Sequence, residues 1–397
     1  MTSQTPQIKE LMKKLEPQLI GFRRDLHVHP ELSLQEVRTT QRIKEALTEA
    51  GIEILDIGTP TGAVGLIRGN GPGPTIALRG DIDALPIHEE NDVPYRSQTD
   101  GVMHACGHDV HTTSLLGAAL ILNELKDTFA GTVKLIFQPA EEVNEGARQM
   151  IDHGVMENPH VDAIFGLHTY PDFPAGQVGV KSGGLMAAVD TIRIAVNGVG
   201  GHGAIPDSTV DPVVATCAMV SSLQSIVSRN VSPLDSVVVS MGTIHGGIAN
   251  NVIPEEVKLT GTARSFEPTV REKLPDLVRR VVEQSVAAYG ASASVEYIFH
   301  LPPVYNSESL HTLATDVVTE ICGPGSAIDP RPSMGGEDFS LYMEHIPGFF
   351  YWLGTGNVEK GFVHKWHNPR YNTDENAIAL GSGVLALSAI RAMEDLR

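Results

Sequence analysis

The sequence predicts an α/β protein, a mixed sheet flanked by helices, into which a ferredoxin-like α+β domain is inserted. Three observations predict it. Short apolar strands alternate with longer helical patterns through the first half of the chain, the rhythm of a sheet carrying helices on its faces. Near Lys181-Ser-Gly-Gly184 that rhythm gives way to the order β-α-β-β-α-β, a split pattern that makes a self-sufficient small domain. Helix and strand resume from Ser307, completing the first domain. At 397 residues the chain exceeds one ordinary core. The expected division is residues 1–184 and 301–397 for the first domain and 185–300 for the insertion.

Taken in order, helical periodicity covers Gln7–Leu26 and Leu34–Ala50, the second stopped by Gly51. Thr75–Gly80 reads as a buried strand ending at Asp81-Ile82-Asp83. An amphipathic helix is expected over Val110–Lys126, with Asp109 as its cap. Thr132–Phe137 is a second strand, ending at Gln138-Pro-Ala-Glu-Glu142, and Asp162–Leu167 a third, ending at His168. Each strand delivers polar residues just past its carboxyl end, where open α/β sheets form ligand crevices. The insertion reads as strand Val189–Val196, helix Asp211–Arg229, strands Ser236–Thr243 and Glu256–Phe266, helix Pro268–Tyr289 and strand Ser292–His300. A helix from Leu310, a strand over Phe349–Leu353 and a helix from Asn376 close the chain.

Composition narrows the function. A net charge of −19 without basic runs or aromatic-basic interleaving argues against nucleic acid or an anionic membrane as partner. There is no apolar run near 18 residues, so no membrane span is expected. Met1–Glu16 has no apolar core of a secretory signal. Three distant cysteines (Cys106, Cys217, Cys322) do not make a disulfide framework and suit a reducing cytoplasm. Gly198-Val-Gly-Gly-His-Gly203 matches a dinucleotide fingerprint literally, but Pro206 and a turn stand where the helix should open, so nucleotide binding is rejected. Its other use is as a glycine loop presenting His202.

The chemistry concentrates at Met103-His-Ala-Cys-Gly-His-Asp-Val-His111: a thiol, three imidazoles and a carboxylate in nine residues. Such a mixture of soft and borderline donors points to a divalent metal. Cys106, His108, Glu142, His168 and His367 are the candidate ligands, and two metals sharing a bridging ligand need about this many. His364 is an alternative to His367, which Asn368-Pro369 stiffens. His104 and His111 are alternative ligands better suited to supporting or solvent positions. Singly, each histidine or glutamate would be a satisfied polar group; it is the set gathered at strand ends that argues for a metal centre. In Glu141-Glu142, one carboxylate can hold metal while its neighbour takes a proton from water. Asp81 or Asp83 could orient a ligand histidine. Arg264, on a strand of small residues, could clamp a carboxylate. Gly335-Gly-Glu-Asp-Phe339 reads as a turn that lines a cleft or caps a helix. His27, His29 and His88 read as ordinary polar residues.

Together the blocks Arg79-Gly-Asp-Ile-Asp-Ala-Leu-Pro86, His104-Ala-Cys-Gly-His-Asp109, Gln138-Pro-Ala-Glu-Glu142, Gly166-Leu-His-Thr169, Gly200-Gly-His-Gly-Ala204, Asn251-Val-Ile-Pro254, Gly335–Phe339 and His367-Asn-Pro-Arg-Tyr371 resemble the metal-dependent aminoacylase and carboxypeptidase superfamily. The similar branch is that of hippurate hydrolase, indole-acetyl-amino-acid hydrolases and N-acetyl-diaminopimelate deacetylase. The resemblance implies two divalent metals on Cys106, His108, Glu142, His168 and His367, with Cys106 bridging. Zn²⁺ is the first choice, with Mn²⁺, Co²⁺ or Ni²⁺ as alternatives. It implies Glu141 as general base and Asp83 as the orienting carboxylate, with Asp81 the second choice. Asn251 and Arg264 would bind the substrate's carboxylate end. His202 would reach the partner subunit's site and stabilise the oxyanion, making the insertion a lid and dimerisation domain of a homodimer or higher homo-oligomer. One departure is Lys365-Trp-His-Asn-Pro369, where relatives often show Leu-His-His-Pro or Leu-His-Ser-Pro. The expected reaction is hydrolysis of N-acyl-amino acids. The rivals are a carboxypeptidase or dipeptidase on short peptides and a metal-holding protein without turnover, which the adjacent glutamates argue against.

Overall fold

The computed structural model describes residues 4–396 and divides into two compact units, Met1–Gly183 with Tyr305–Arg331 and Asp338–Arg397, and Gly184–Val304 with Pro332–Glu337. Each is described by itself.

The first unit carries an eight-stranded mixed sheet. Its strands are β1 (Glu53–Leu55), β2 (Ala63–Arg68), β3 (Thr75–Asp81), β4 (Thr132–Gln138), β5 (Ala163–Pro174), β6 (Val178–Gly179), β7 (Ala327–Ile328) and β8 (Gly348–Gly356), in the spatial order β1-β2-β4-β3-β5-β8-β6-β7. The centre, β4-β3-β5-β8, is parallel, and both outer β2 and β6 pair antiparallel to it. Parallel central strands are covered on both faces, so they read as buried apolar runs such as Phe349–Leu353. Their shared direction puts the carboxyl ends of β3 and β4 side by side, Asp81 opposite Gln138.

Helices α1 (Thr5–Val28), α2 (Val37–Glu49), α3 (His108–Glu124), α4 (Glu308–Cys322) and α5 (Asn376–Asp395) cover this sheet, and their apolar residues join Ile76, Leu78, Leu135 and Phe165 in one core. By length and composition α5 could cross a membrane, yet 83% of its apolar window is buried within the fold. It is a core helix. Likewise α3 is not the amphipathic helix the sequence suggests: from His108 to Ala119 every residue is buried. Nor does Asp109 cap it. The cap position is Gly107, and the Asp109 carboxylate is drawn instead to the buried Arg23 guanidinium at 2.6 Å and His27 Nδ1 at 2.7 Å. A third correction concerns β5, which runs on through His168 to Pro174 rather than ending at His168. Its partner β8 continues alongside, pairing Trp352 with His168 and Leu353 with Thr169.

In the second unit, strands Val189–Asn197, Val237–Gly246, Glu256–Ser265 and Ser292–Leu301 form an antiparallel sheet in the ferredoxin-like order second-third-first-fourth. Helices Pro212–Ser225 and Leu274–Ala287 cover one face, burying Ala215, Met219, Leu223, Val278 and Val282 against Ile192, Ile194 and Leu259. Asp211 caps the first of these helices through the N–H groups of Val213 and Val214.

Candidate metal centre

The five candidate ligands of the first unit converge on one place. Gly107 makes the turn that allows it. It sits at φ +91°, and a Cβ there would meet Thr169 Oγ1 at 2.7 Å and Tyr371 Oη at 2.9 Å. The chain can therefore pass directly from Cys106 into α3, which His108 opens. The His108 Nδ1–H donates to Asp83 Oδ1 at 3.1 Å, leaving Nε2 bare. That nitrogen lies 3.7 Å from Glu142 Oε1, 3.8 Å from Asp81 Oδ2 and 3.9 Å from Glu141 Oε2.

The two glutamates leave β4 through Pro139-Ala140, with Ala140 at φ +54° and its N–H bonded to the Glu36 carboxylate at 2.8 Å. The Glu142 N–H donates to Asp83 Oδ2 at 3.1 Å. His168 projects from β5. Its Nδ1–H donates to Thr169 O at 2.8 Å, and its Nε2 faces Cys106 Sγ at 3.4 Å. His367, at φ +62°, is pinned by its N–H to Ala105 O at 2.8 Å and points Nε2 at Glu142 Oε2, 3.5 Å away.

These donors form two overlapping groups, Cys106–His108–His168 and Cys106–Glu142–His367, the ligand atoms of each lying within 4.8 Å of one another. Cys106 belongs to both, and His108 also groups with Glu141 and Glu142. Whether the group fits metal is tested by its unsatisfied atoms. His108 Nε2 and Glu142 Oε1 are buried without a hydrogen-bond partner among the described residues, a costly state for polar atoms unless something else binds them. A thiol, three imidazoles and a carboxylate are the donors of a borderline divalent cation. The residues fit.

The electrostatics point the same way. Burial and the charges of Glu142, Glu141 and Asp81 push the Cys106 thiol well up. Burial would lower His108, but Asp81, Asp83 and Glu142 outweigh it and raise its pKa to about 10. In the absence of a cation the cluster thus collects protons, and metal binding would release them. Burial, helped by His111, holds His168 well down and neutral, as a ligand must be.

The remaining histidines have other partners. His111 donates Nδ1–H to Asp81 Oδ1 at 2.6 Å and accepts the Thr169 N–H at Nε2, 2.8 Å. Both ring nitrogens are engaged, so His111 supports the site rather than ligating. Asp81 is likewise committed, its second oxygen receiving Arg79 at 2.7 Å. That buried arginine also reaches Gln138 and Asp338. Asp338 is buried and accepts from Arg79, Gln138 and the N–H of Ala147, which lies in the first turn of the helix Gly146–Asp152, so it does serve a helix end, and one of its oxygens lies within 4.8 Å of a Glu141 oxygen. His104 lies buried behind the loop, its pKa pushed down to about 4 by that burial. His27 joins Asp109 and Glu89 in a buried polar cluster, while His29 and His88 make the ordinary polar contacts expected of them. His364 joins none of the donor groups among the described residues.

His202, Asn251 and Arg264 belong to the second unit. His202 pairs with Val252 in a short two-stranded ladder, and Asn251 O accepts the Gly203 N–H at 2.8 Å, so His202 and Asn251 are neighbours. Arg264 is far from them along its strand, which begins at Glu256 just after that ladder. It is half-buried, with the described contacts of Nη1 made to Thr262 Oγ1 and Ala263 O.

Sequence reasoning did not single out Thr169 or the engagement of His111 and Arg79. The spacing of His108 and His111, one helical turn apart, was the available signal for His111.

A model of peptidase family M20/M25/M40 matches residues 77–391. The chain is 44% identical to N-acetylcysteine deacetylase of Bacillus subtilis over 97% of its own length and 99% of that protein's. It is 40% identical to thermostable carboxypeptidase 2 of Saccharolobus solfataricus, over 97% and 98%. A crystal structure of a Bacillus subtilis protein, described as a dinuclear metal-binding peptidase of family M20, superposes with a TM-score of 0.86 at 41% identity, covering 96% of this chain and 99% of that one.

Proposed function

The chain belongs to peptidase family M20/M25/M40 and is a hydrolase of amide bonds, and from that premise we propose that it cleaves N-acyl-amino acids to a carboxylate and a free amino acid at the Cys106 centre. The observation that carries this reading is the convergence of five donors, with bare His108 Nε2 and Glu142 Oε1, beside a second carboxylate, Glu141. Cys106, His108, Glu142, His168 and His367 would hold two divalent ions, with Cys106 a member of both donor groups, and Zn²⁺ suits the mixed S, N and O set. When bound, the ions supply Lewis acidity that polarises the scissile carbonyl and lowers the pKa of the attacking water. Glu141 takes a proton from that water at a carboxylate oxygen and returns it to the leaving nitrogen, so the amide C–N bond breaks as a C–O bond forms. Asp83 holds the His108 tautomer. His202 donates to the oxyanion.

The substrate's carboxylate end falls to Asn251 and Arg264. Within one chain, the eight residue-to-residue steps from Glu256 to Arg264 span about 26 Å at the usual rise, more than a small acyl-amino acid. His202 and Asn251 therefore serve one substrate together with Arg264 only if they come from different chains, which supports a homodimer. Free cysteines and the ligand thiol suit a reducing cytoplasm.

Cleavage of short peptides is the second reading, favoured by the carboxypeptidase relative. The test is a panel of N-acetyl-amino acids, hippurate and dipeptides, run on metal-loaded and chelator-treated protein. Faster turnover of acyl-amino acids, lost with chelator and restored by Zn²⁺ or Mn²⁺, is expected. Preference for dipeptides would transfer the assignment to the second reading, and no metal-dependent turnover would end both.

A further inference from the structure

Trp366 makes two contacts at the metal centre that the reaction scheme does not use. Its indole Nε1–H donates to Thr169 O at 3.0 Å, the same carbonyl that receives the His168 Nδ1–H at 2.8 Å. Its ring stands edge-on to the His168 imidazole, centroids 4.9 Å apart, and meets Tyr170 at 5.6 Å. Thr169 is itself a junction. Its N–H goes to His111, its hydroxyl donates to Cys106 O at 2.9 Å, and that hydroxyl receives Tyr371 Oη at 2.9 Å. Through the next residue, the segment carrying Trp366 also presents His367, whose side chain is 53% exposed and whose backbone sits in the left-handed region. An exposed imidazole on a left-handed residue needs its segment fixed from outside. Two bonds do so: His367 N–H to Ala105 O on the Cys106 loop, and the Trp366 indole to Thr169 O on the His168 strand.

We propose that Trp366 is a positioning residue of the metal centre, tying the His367 segment to the carbonyl that also fixes the His168 tautomer. The proposal rests on the metal reading above. It acts by geometry: a donor-only indole and an imidazole N–H share one acceptor, so the two ligand-bearing segments cannot shift independently.

The test measures Zn²⁺ affinity rather than activity. Stepwise dissociation constants of Trp366→Phe, which keeps a ring but loses the N–H, are obtained by competition with a chromophoric chelator. Loss of an outer partner of a ligand typically weakens metal about 10–100-fold, and that loss is expected for one of two equivalents. The metal-free melting temperature should stay that of the parent. In the His367→Ala background the same substitution should add no further loss, because a residue acting through His367 has nothing left to position. Unchanged constants, an equal loss in both backgrounds, or a lowered metal-free melting temperature would each overturn the proposal. Should the parent protein bind no Zn²⁺ at all, the metal reading itself fails, which is a distinguishable result.

Discussion

Asp83 holds two candidate ligands at once: its Oδ1 accepts the His108 Nδ1–H at 3.1 Å, while its Oδ2 accepts the backbone N–H of Glu142 at 3.1 Å and the Ser33 hydroxyl at 2.7 Å. All three partners donate, so a carboxylate satisfies them and an amide cannot. Asp83→Asn must turn an NH₂ toward one of them. If it faces His108, it favours the tautomer protonated at Nε2, the nitrogen that should ligate. We expect metal affinity to fall about 10–100-fold, as for other outer partners of ligand histidines. Chelator competition measures it, and an affinity within twofold of the parent would remove Asp83 from this role.

Glu141 and Glu142 are adjacent and both approach His108 Nε2, but Glu142 approaches His367 as well. Glu142 approaches both His108 Nε2 and His367 Nε2, at 3.7 and 3.5 Å, and shares a donor group with Cys106. Glu141→Gln should therefore retain two equivalents of metal and lose about 10²–10⁴-fold in kcat, the range of a general base. Glu142→Gln should lose metal. Elemental analysis beside kcat separates the two, and metal loss from Glu141→Gln would mean that the roles are reversed.

His202 lies in an exposed two-stranded ladder whose glycines keep the backbone bare: a Cβ at Gly203 would press on Asn251 at 3.1–3.3 Å. An oxyanion donor typically contributes about 10²–10³ in kcat, and His202→Ala should lose that much with KM little changed. Equal activity would dismiss it. Mixing this variant with an inactive Glu141→Gln protein adds a check on the two-chain site: heterodimers should regain part of the activity if each chain completes the other's site.

Much of this was legible because β3, β4 and the Cys106 loop each carry their chemistry in a continuous stretch of residues. Apolar runs marked the strands, and polar residues at their ends marked the site. The parts that were not legible depend on partners distant in sequence. Asp109 looks like a cap until Arg23 and His27, more than 80 residues earlier, claim its carboxylate. Asp338 looks like part of a surface turn until Arg79 appears 259 residues away. His168 looks like a strand end because pairing with β8 is invisible in β5 alone. A helix buried on all sides, as α3 is, carries no clear stripe to reveal which face meets what.

Lys134 tests how the glutamate-bearing strand is supported from its far end. Wholly buried on β4, its ammonium donates to the carbonyls of Val155, Glu157 and Pro159 at 2.7, 2.9 and 2.8 Å. It is a three-pronged cap for a loop that otherwise leaves these oxygens without a described partner nearby, and burial has drawn its pKa down to about 8. Lys134→Met fills a similar volume but strands the carbonyls, and each buried unsatisfied group costs about 1–3 kcal/mol. Rearrangement and water will recover part, so a net loss of about 2–3 kcal/mol is expected. The denaturation midpoint should fall accordingly, while Zn²⁺ stoichiometry at low temperature stays at two, because the donors are assembled at the opposite end of the strand. A variant as stable as the parent would show that these three bonds only replace equally good ones to water.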